Sequence, residues 1–334
     1  MTPSTPEYEP PASSVIRARQ NELDALRLLI AQRRLYNRAK RWLGLRWFGM
    51  VSIGIAAPVI AVLWPPLAVA ASAVAGAWLF LARTFLLQRQ TAITAQAAAV
   101  QEQFDALVFA MPDQAKRSIL PSLEAIATIA GADDQLVTVA REENLIDWYP
   151  IDVHNDGTTT IAIAQRANAS YSDSLIRTTA AVWSALVGVW IVALLVVSSM
   201  TGLSTAEFLL GVVFPVLPAF LDVVQYVTAV RRSATEKGDL AGLIEDHLTG
   251  RREPPKPEDV LVWQSRLFDL RRSAPEVPNF IYKLKRKKNE RAMESAAKQL
   301  GQKANPTAAS QLGPVTKVGK PPARRTQKAK RPKP

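Results

Sequence analysis

The chain has 334 residues, 48% of them hydrophobic and 21% charged, with a formal net charge of +12. It has no cysteine and only two histidines, His154 and His247, so disulfides, thiolate chemistry and cysteine metal sites are excluded and imidazole chemistry has no cluster to work from. Long uncharged blocks alternate with strongly basic ones, a segregation that suits a lipid bilayer and anionic partners.

Residues 1–15, polar and proline-rich, read as a disordered lead and not as a secretory signal. Residues 16–46 predict a basic amphipathic cytoplasmic helix. On it Arg27, Arg34, Arg38 and Arg41 form one stripe beside an apolar face of Ala25, Leu28, Leu29, Leu35, Tyr36, Ala39 and Trp42. Two placements fit this surface. The helix can lie on the inner leaflet with its arginines on lipid phosphates, or pack on the rest of a cytoplasmic domain and offer the arginines to a ligand.

Four segments have the length of roughly 20 apolar residues that a hydrocarbon layer requires. They run over about Trp47–Trp64, Leu67–Leu87, Thr179–Met200 and Ala206–Val230. Only Pro65-Pro66 separates the first pair and only TGLST the second, so residues 47–87 and 179–230 are expected to form two transmembrane hairpins. Arg33, Arg34, Arg38, Lys40, Arg41 and Arg46 precede the first span. Arg83, Arg89, Lys116 and Arg117 follow the second, and Arg231 and Arg232 the fourth, while the hairpin turns hold no lysine or arginine. By the positive-inside rule both termini and the middle region face the cytoplasm.

Trp42, Trp47 and Trp64 fit an interfacial aromatic belt. Ala71, Ala75 and Gly76 permit close helix approach, in ordinary packing or along a pore. Pro215 and Pro218 are expected to kink the fourth span in mid-helix. Asp222 and Gln225 follow on one face, and an ionisable group inside a span is a functional candidate. The alternative is an interfacial Asp222 paired with an arginine such as Arg83.

Residues 88–178 predict a helical cytoplasmic middle region. Phe104, Leu107, Val108 and Met111 mark one helix face, closed by Pro112, and KRSILPSLEAIATIAG a second helix stopped at Gly131. Asp133-Asp134 is placed to cap the next helix. A turn bearing Trp148 and Tyr149 then precedes a helix leading into the third span, on which Arg166, Asp173 and Arg177 share a face. Residues 231–297 predict further cytoplasmic helices, broken at Pro275 and Pro278, and residues 298–334 a disordered basic tail. No Walker A, GxGxxG, GxSxG, HExxH or CxxC motif occurs, so the expectation is a non-enzymatic protein without a cofactor or metal.

Five charged blocks carry a resemblance: IRARQNELDALRLLIAQRRLYNRAK, FDALVFAMP, WYP, QRANASYSDSLIR and WQSRLFDLRRSAPEVPNFIYKLKR. Their order around two membrane hairpins resembles the SMODS-associated four-transmembrane effectors of bacteria, over about residues 16–290. The resemblance implies an all-α, multi-pass inner-membrane protein of abortive-infection antiphage defence. In that scheme a synthase makes a cyclic oligonucleotide on infection. The effector, expected to be a homo-oligomer that has no need to touch the synthase, senses the nucleotide on the cytoplasmic side and permeabilises the membrane as a pore former.

A cyclic oligonucleotide is a ring of phosphates carrying flat bases, so its receptor needs guanidinium forks and planar stacking surfaces. Within these blocks the candidates are Arg19, Gln20, Asn21, Arg33, Tyr36 and Lys40; Trp148 and Tyr149; Gln165, Arg166, Asn168, Tyr171 and Arg177; and Trp263, Arg266 and Tyr282. The competing role for each is to hold the cytoplasmic bundle together or to meet lipid headgroups. Pro215, Pro218, Asp222 and Gln225 are the pore or gating candidates. Two other functions compatible with the sequence are a constitutive channel or transporter subunit and a nonconducting membrane scaffold.

Overall fold

The computed structural model of the protein describes residues 7–112, 119–202, 204–209 and 213–304. Among these residues all regular structure is helical. The elements are α1 (Ser13–Arg19), α2 (Leu23–Leu63), α3 (Ala68–Leu81), α4 (Leu87–Phe109), α5 (Leu123–Ala130), α6 (Leu136–Glu142), α7 (Gly157–Thr201), α8 (Thr205–Phe208), α9 (Phe214–Leu248), α10 (Pro257–Arg272) and α11 (Asn279–Ala304).

The long helices set the architecture. Helix α2 runs 41 residues without a break, about 60 Å at the α-helical rise. Helix α7 runs 45 residues and α9 35. Helix α3 passes through a π-helical turn, Ala82–Leu86, directly into α4. A hydrocarbon layer is only roughly 30 Å thick, so helices of this length extend well beyond one. The predicted basic helix and first span are therefore a single element, as are the connecting helix and the third span.

One half of the structure is a conventional packed bundle. The apolar face of α2, including Ala25, Leu29, Leu35 and Ala39, closes a core with Phe104 and Val108 of α4, Ile161 of α7, Ile244 of α9 and Leu267 of α10. Of the two placements open to the basic helix, the structure has the one that packs its apolar face on the other helices. Part of its arginine stripe is consumed in the process. Arg27 pairs with Asp24 and, at 2.9 Å, with Asp133, while Arg34 donates to the Ile129 and Ala130 carbonyls at the C-terminus of α5. A cation there meets the negative end of the helix dipole.

Local signals place the short helices. Ser122 caps α5 by accepting from the Ala125 N–H, and Gly131 ends it at φ +93°, a conformation open to glycine. Asp133 opens a 3-10 turn leading into α6, and Asp156 caps α7 by accepting from the Thr159 N–H at 2.9 Å. The chain is ordered further at both ends than its composition suggests. Helix α1 starts at Ser13, whose hydroxyl meets the Asn155 carbonyl and Thr160 at 2.6 Å, and Tyr8 reaches the Phe109 carbonyl. Helix α11 continues to Ala304 with Leu300 buried, so residues 298–304 are helix and not tail. In both places tertiary contacts supply what local sequence lacks. The rest of the expected lead and tail, residues 1–6 and 305–334, lies outside the described residues, as do Lys116, Arg117 and Leu203 of the second hairpin turn.

The other half exposes hydrocarbon. Val69 is 81% and Met200 82% accessible, and Phe48, Ile55, Phe80, Val189 and Phe214 are exposed as well. Val69–Phe109 and Gly157–Val196 are long and apolar enough to cross a membrane, yet only 17% and 11% of their apolar windows are buried. A core helix of a soluble protein would be covered. A continuous apolar surface of this extent exceeds what water-soluble monomers show. By that measure two helices qualify among the described residues, where the sequence predicts four spans.

Two details depart from expectation. Helix α9 runs from Phe214 with Pro215 in its first turn, and Val213 before it is π-helical, so Pro215 stands at a change of helix type. Residues 210–212, on which a kink at Pro215 would act, lie outside the described residues. Trp47, expected in an interfacial belt, is buried in a second core, stacked on Trp183 at 4.1 Å with Tyr226 edge-on.

Candidate functional site

The packed half is built around a buried polar network. Asp105 on α4 is fully buried and accepts from Tyr149 Oη at 2.6 Å, Gln264 Nε2 at 2.8 Å and Arg271 at 2.7 Å. Glu102, one turn earlier, also accepts from Gln264 and lies 3.8 Å from Arg271. Gln165 on α7 donates to Gln264 and to the Val260 carbonyl, tying α7 to α10. Burial drives the Tyr149 phenol far above its ordinary pKa, with the Asp105 charge adding to the shift, so it acts as a fixed donor.

A second polar group lies toward the apolar half. Glu276, in the link between α10 and α11, accepts from Thr94 at 2.8 Å, and its carbonyl takes a hydrogen bond from Tyr226. Burial raises the Glu276 pKa against the opposing charges of Lys40 and Lys237. Lys40 on α2 is lowered by burial, and Lys237 on α9 falls to about 8 through burial and the neighbouring Arg271 charge. Helices α2, α4, α9 and α10 thus each turn charged or hydroxyl groups into one interior region. Its basic members are Lys40, Lys237 and Arg271.

A third centre sits where the bundle meets the apolar half. Asp222 on α9 is held between Arg46 of α2 at 3.3 Å and Arg83 of the π-helical turn at 3.4 Å. Arg83 also donates to Gln225 at 3.1 Å. Arg46 and Asp222 are both 6% exposed. The pairing of Asp222 with Arg83 considered from sequence is present, and Arg46 is a second partner. The π turn matters because it inserts an extra residue into the ladder and rotates Arg83 toward α9; such turns recur at functional positions.

Most of the nucleotide-contact candidates have protein partners. Gln20 bonds both the N–H and carbonyl of Tyr149, and Asn21 accepts from the Asp147 N–H and donates to its carboxylate. Arg33 holds the Glu143 carbonyl and carboxylate, and Arg166 pairs with Glu245 at 2.8 Å. Arg177 pairs with Asp173 as its spacing predicts. Trp148 and Trp263 pack in the core, the latter beside His247. Tyr36 reaches Gln101, and Asn168 reaches Tyr149 Oη. Lys40 lies at the edge of the interior basic group, Arg19 and Tyr171 are half-buried, and Arg266 is exposed. Of Tyr282 only the helical backbone is described.

The residues that sequence reasoning passed over are Glu102, Asp105, Lys237, Gln264, Arg271 and Glu276. A signal existed, since Asp105 interrupts the apolar run FDALVF and Arg271 follows Leu270 on the buried side of α10. Polar residues set into an apolar face are the ones a bundle must satisfy internally.

Comparison with curated proteins and with solved structures finds no match. A protein-family model, described as the SMODS-associating 4TM effector domain, matches residues 14–300, which takes in every helix centre described above. The chain belongs to this family of membrane effectors linked to cyclic-oligonucleotide synthase systems.

Proposed function

We propose that this protein is a cyclic-oligonucleotide-gated effector of antiphage defence that permeabilises the bacterial inner membrane. The observation that carries the reading is the continuity of its long helices. Each runs from the polar interior of the packed half into an apolar, uncovered stretch, and the Arg46–Asp222–Arg83 cluster ties three of them at the crossing point.

In this reading four spans cross the bilayer as two hairpins, with both termini cytoplasmic. The exposed apolar side chains meet lipid or neighbouring copies. The packed half is the receptor, non-enzymatic and in need of no cofactor beyond the activating nucleotide. Binding there favours a second arrangement of the helices, with several copies assembled, in which the Asp222 cluster opens. Moving such an equilibrium from 1:99 to 99:1 takes roughly 5.5 kcal/mol of differential binding. A few charge-assisted contacts to phosphate, at about 1.5–3 kcal/mol each, reach that sum. A continuous helix such as α2 carries the change from the packed half into the apolar half.

The test is dye release from liposomes holding the purified protein, with cyclic di- and trinucleotides added one at a time. Release with one ligand supports the reading. Release irrespective of ligand identifies a constitutive channel, and binding without release identifies a scaffold.

A further inference from the structure

Two members of the arginine stripe on α2 are left over once Arg27 and Arg34 are paired. Arg38 and Arg41 are exposed and form no hydrogen bond or ion pair among the described residues. With Trp42 and Leu45 they stand at i, i+3, i+4 and i+7, on one side of the helix. Trp42 meets Phe85 of the π-helical turn edge-on, their ring centroids 6.0 Å apart. The guanidinium of Arg89 on α4 lies 5.5 Å from the centre of that same Phe85 ring, and Arg89 too is exposed and pairs with no carboxylate among the described residues. Two touching rings thus join α2 to α4, with free arginines on both sides.

Charge at this place is one-sided. No aspartate or glutamate occurs anywhere from residue 25 to residue 101. The carboxylates that other elements bring toward this level are buried and engaged: Asp222 of α9 between Arg46 and Arg83, and Glu276 of the α10–α11 link against the charge of Lys40. Arg41 and Arg89 lie about 8 and 9 Å along the chain direction from Arg46 and Arg83, on the packed side of the crossing point. In the other direction Leu45 and Phe48 of α2, Leu81 of α3 and Phe85 are exposed hydrocarbon. Cations, aromatic rings and hydrocarbon succeed one another in the order of phosphate, glycerol and acyl chain in a phospholipid.

We propose that Arg38, Arg41 and Arg89, set around the Trp42–Phe85 ring pair, bind the headgroup of an anionic phospholipid. The site needs the membrane placement of the chain and goes beyond the nucleotide-gated reading. A headgroup held here bridges α2 and α4 close to the Asp222 cluster, so the composition of the leaflet acts on the same helices that the cluster ties.

The experiment uses the full chain, stripped of lipid in neutral detergent, with bound lipid counted by native mass spectrometry. The probes are dioctanoyl phosphatidylglycerol, dioctanoyl phosphatidylcholine and inorganic phosphate. Phosphatidylglycerol should bind the wild type well ahead of phosphatidylcholine, with inorganic phosphate a poor competitor. Arg41→Gln combined with Arg89→Gln should weaken it about thirty-fold, the loss of two cations at a headgroup, while Arg41→Lys with Arg89→Lys keeps most of the affinity. Arg231→Gln with Arg232→Gln removes the same charge from α9 and should leave binding near the wild-type value.

Unchanged binding in the Arg41→Gln, Arg89→Gln variant overturns the site, as does equal binding of the two lipids. Equal losses in the α9 variant would show diffuse attraction to a basic surface, and inorganic phosphate competing as well as the lipid would show a general anion site; either result overturns the proposal. No nucleotide enters this experiment, so its failure leaves the effector reading standing, and failure of nucleotide-gated dye release leaves this site in place.

Discussion

Replacing Asp222 by asparagine should open the membrane without any ligand. Among the described residues Asp222 is the one carboxylate paired with Arg46 and Arg83, and the three groups come from α2, the π turn after α3, and α9. Arg46 is 6% exposed, so removing its counter-charge strands a buried guanidinium, a change of about 3–5 kcal/mol against any state that keeps the cluster together. Arg83 is 40% exposed and its pairing adds no more than about 1 kcal/mol. A resting state favoured 99:1 is held by only about 2.7 kcal/mol, so the substitution is large enough to reverse it. The assay is release of an entrapped dye from liposomes containing Asp222→Asn, with no nucleotide present and helicity checked by circular dichroism. Spontaneous release is expected, with Arg83→Gln much weaker. Folded Asp222→Asn liposomes that stay tight and respond to ligand like the wild type would refute the idea that this cluster holds the resting state.

Three further outcomes follow from other parts of the structure. Asp105→Asn leaves Arg271 without its closest carboxylate and weakens the Tyr149 and Gln264 bonds, so thermal or chemical unfolding in detergent should show a loss of about 3–5 kcal/mol; under 1 kcal/mol would mean that the network is slack. Burial, with the Arg271 charge from α10 adding to it and Glu276 and Asp173 of α7 opposing, pushes the Lys237 pKa down to about 8 from the ordinary lysine value. The unfolded chain therefore binds more protons between about pH 8 and the ordinary lysine range, so stability from this group rises with pH across that window by roughly 3 kcal/mol. Lys237→Met, which removes the buried charge, should accordingly melt above the wild type below pH 8, with a difference that shrinks at higher pH; a constant difference contradicts the burial argument. Lastly, Trp78 of α3 occupies the space that a Cβ at Gly49 would need, so Gly49→Ala should cost about 1–3 kcal/mol of α2–α3 packing, visible as weaker protection of α3 in hydrogen exchange.

Much of the molecule was legible before any coordinates. Hydrophobic periodicity and the charge asymmetry around apolar blocks marked the helices, and local chemistry marked a helix end at Gly131. These features depend on residues within a turn or two of each other, so the order of residues suffices to state them. The i, i+4 pair of Arg177 with Asp173 is of the same kind. The family resemblance, too, rested on short blocks whose order survives in the linear chain, and the match over residues 14–300 agrees with it.

The partners of the candidate residues were not legible in the sequence, and for a physical reason. Arginines, tyrosines and glutamines in the quoted blocks looked equally able to meet a ligand, yet Gln20, Arg33, Arg166 and Tyr149 spend their donors on partners 79 to 129 positions away or on the network at Asp105. Whether a polar group is free is a property of what the fold brings opposite it. Sequence alone determined a helical protein with apolar blocks suited to a membrane and a basic bundle attached to them. Only the tertiary structure decided that the bundle and apolar stretches share unbroken helices, that Asp222 sits between Arg46 and Arg83, and that Asp105 gathers Tyr149, Gln264 and Arg271, because burial and pairing arise between segments that the chain order keeps far apart.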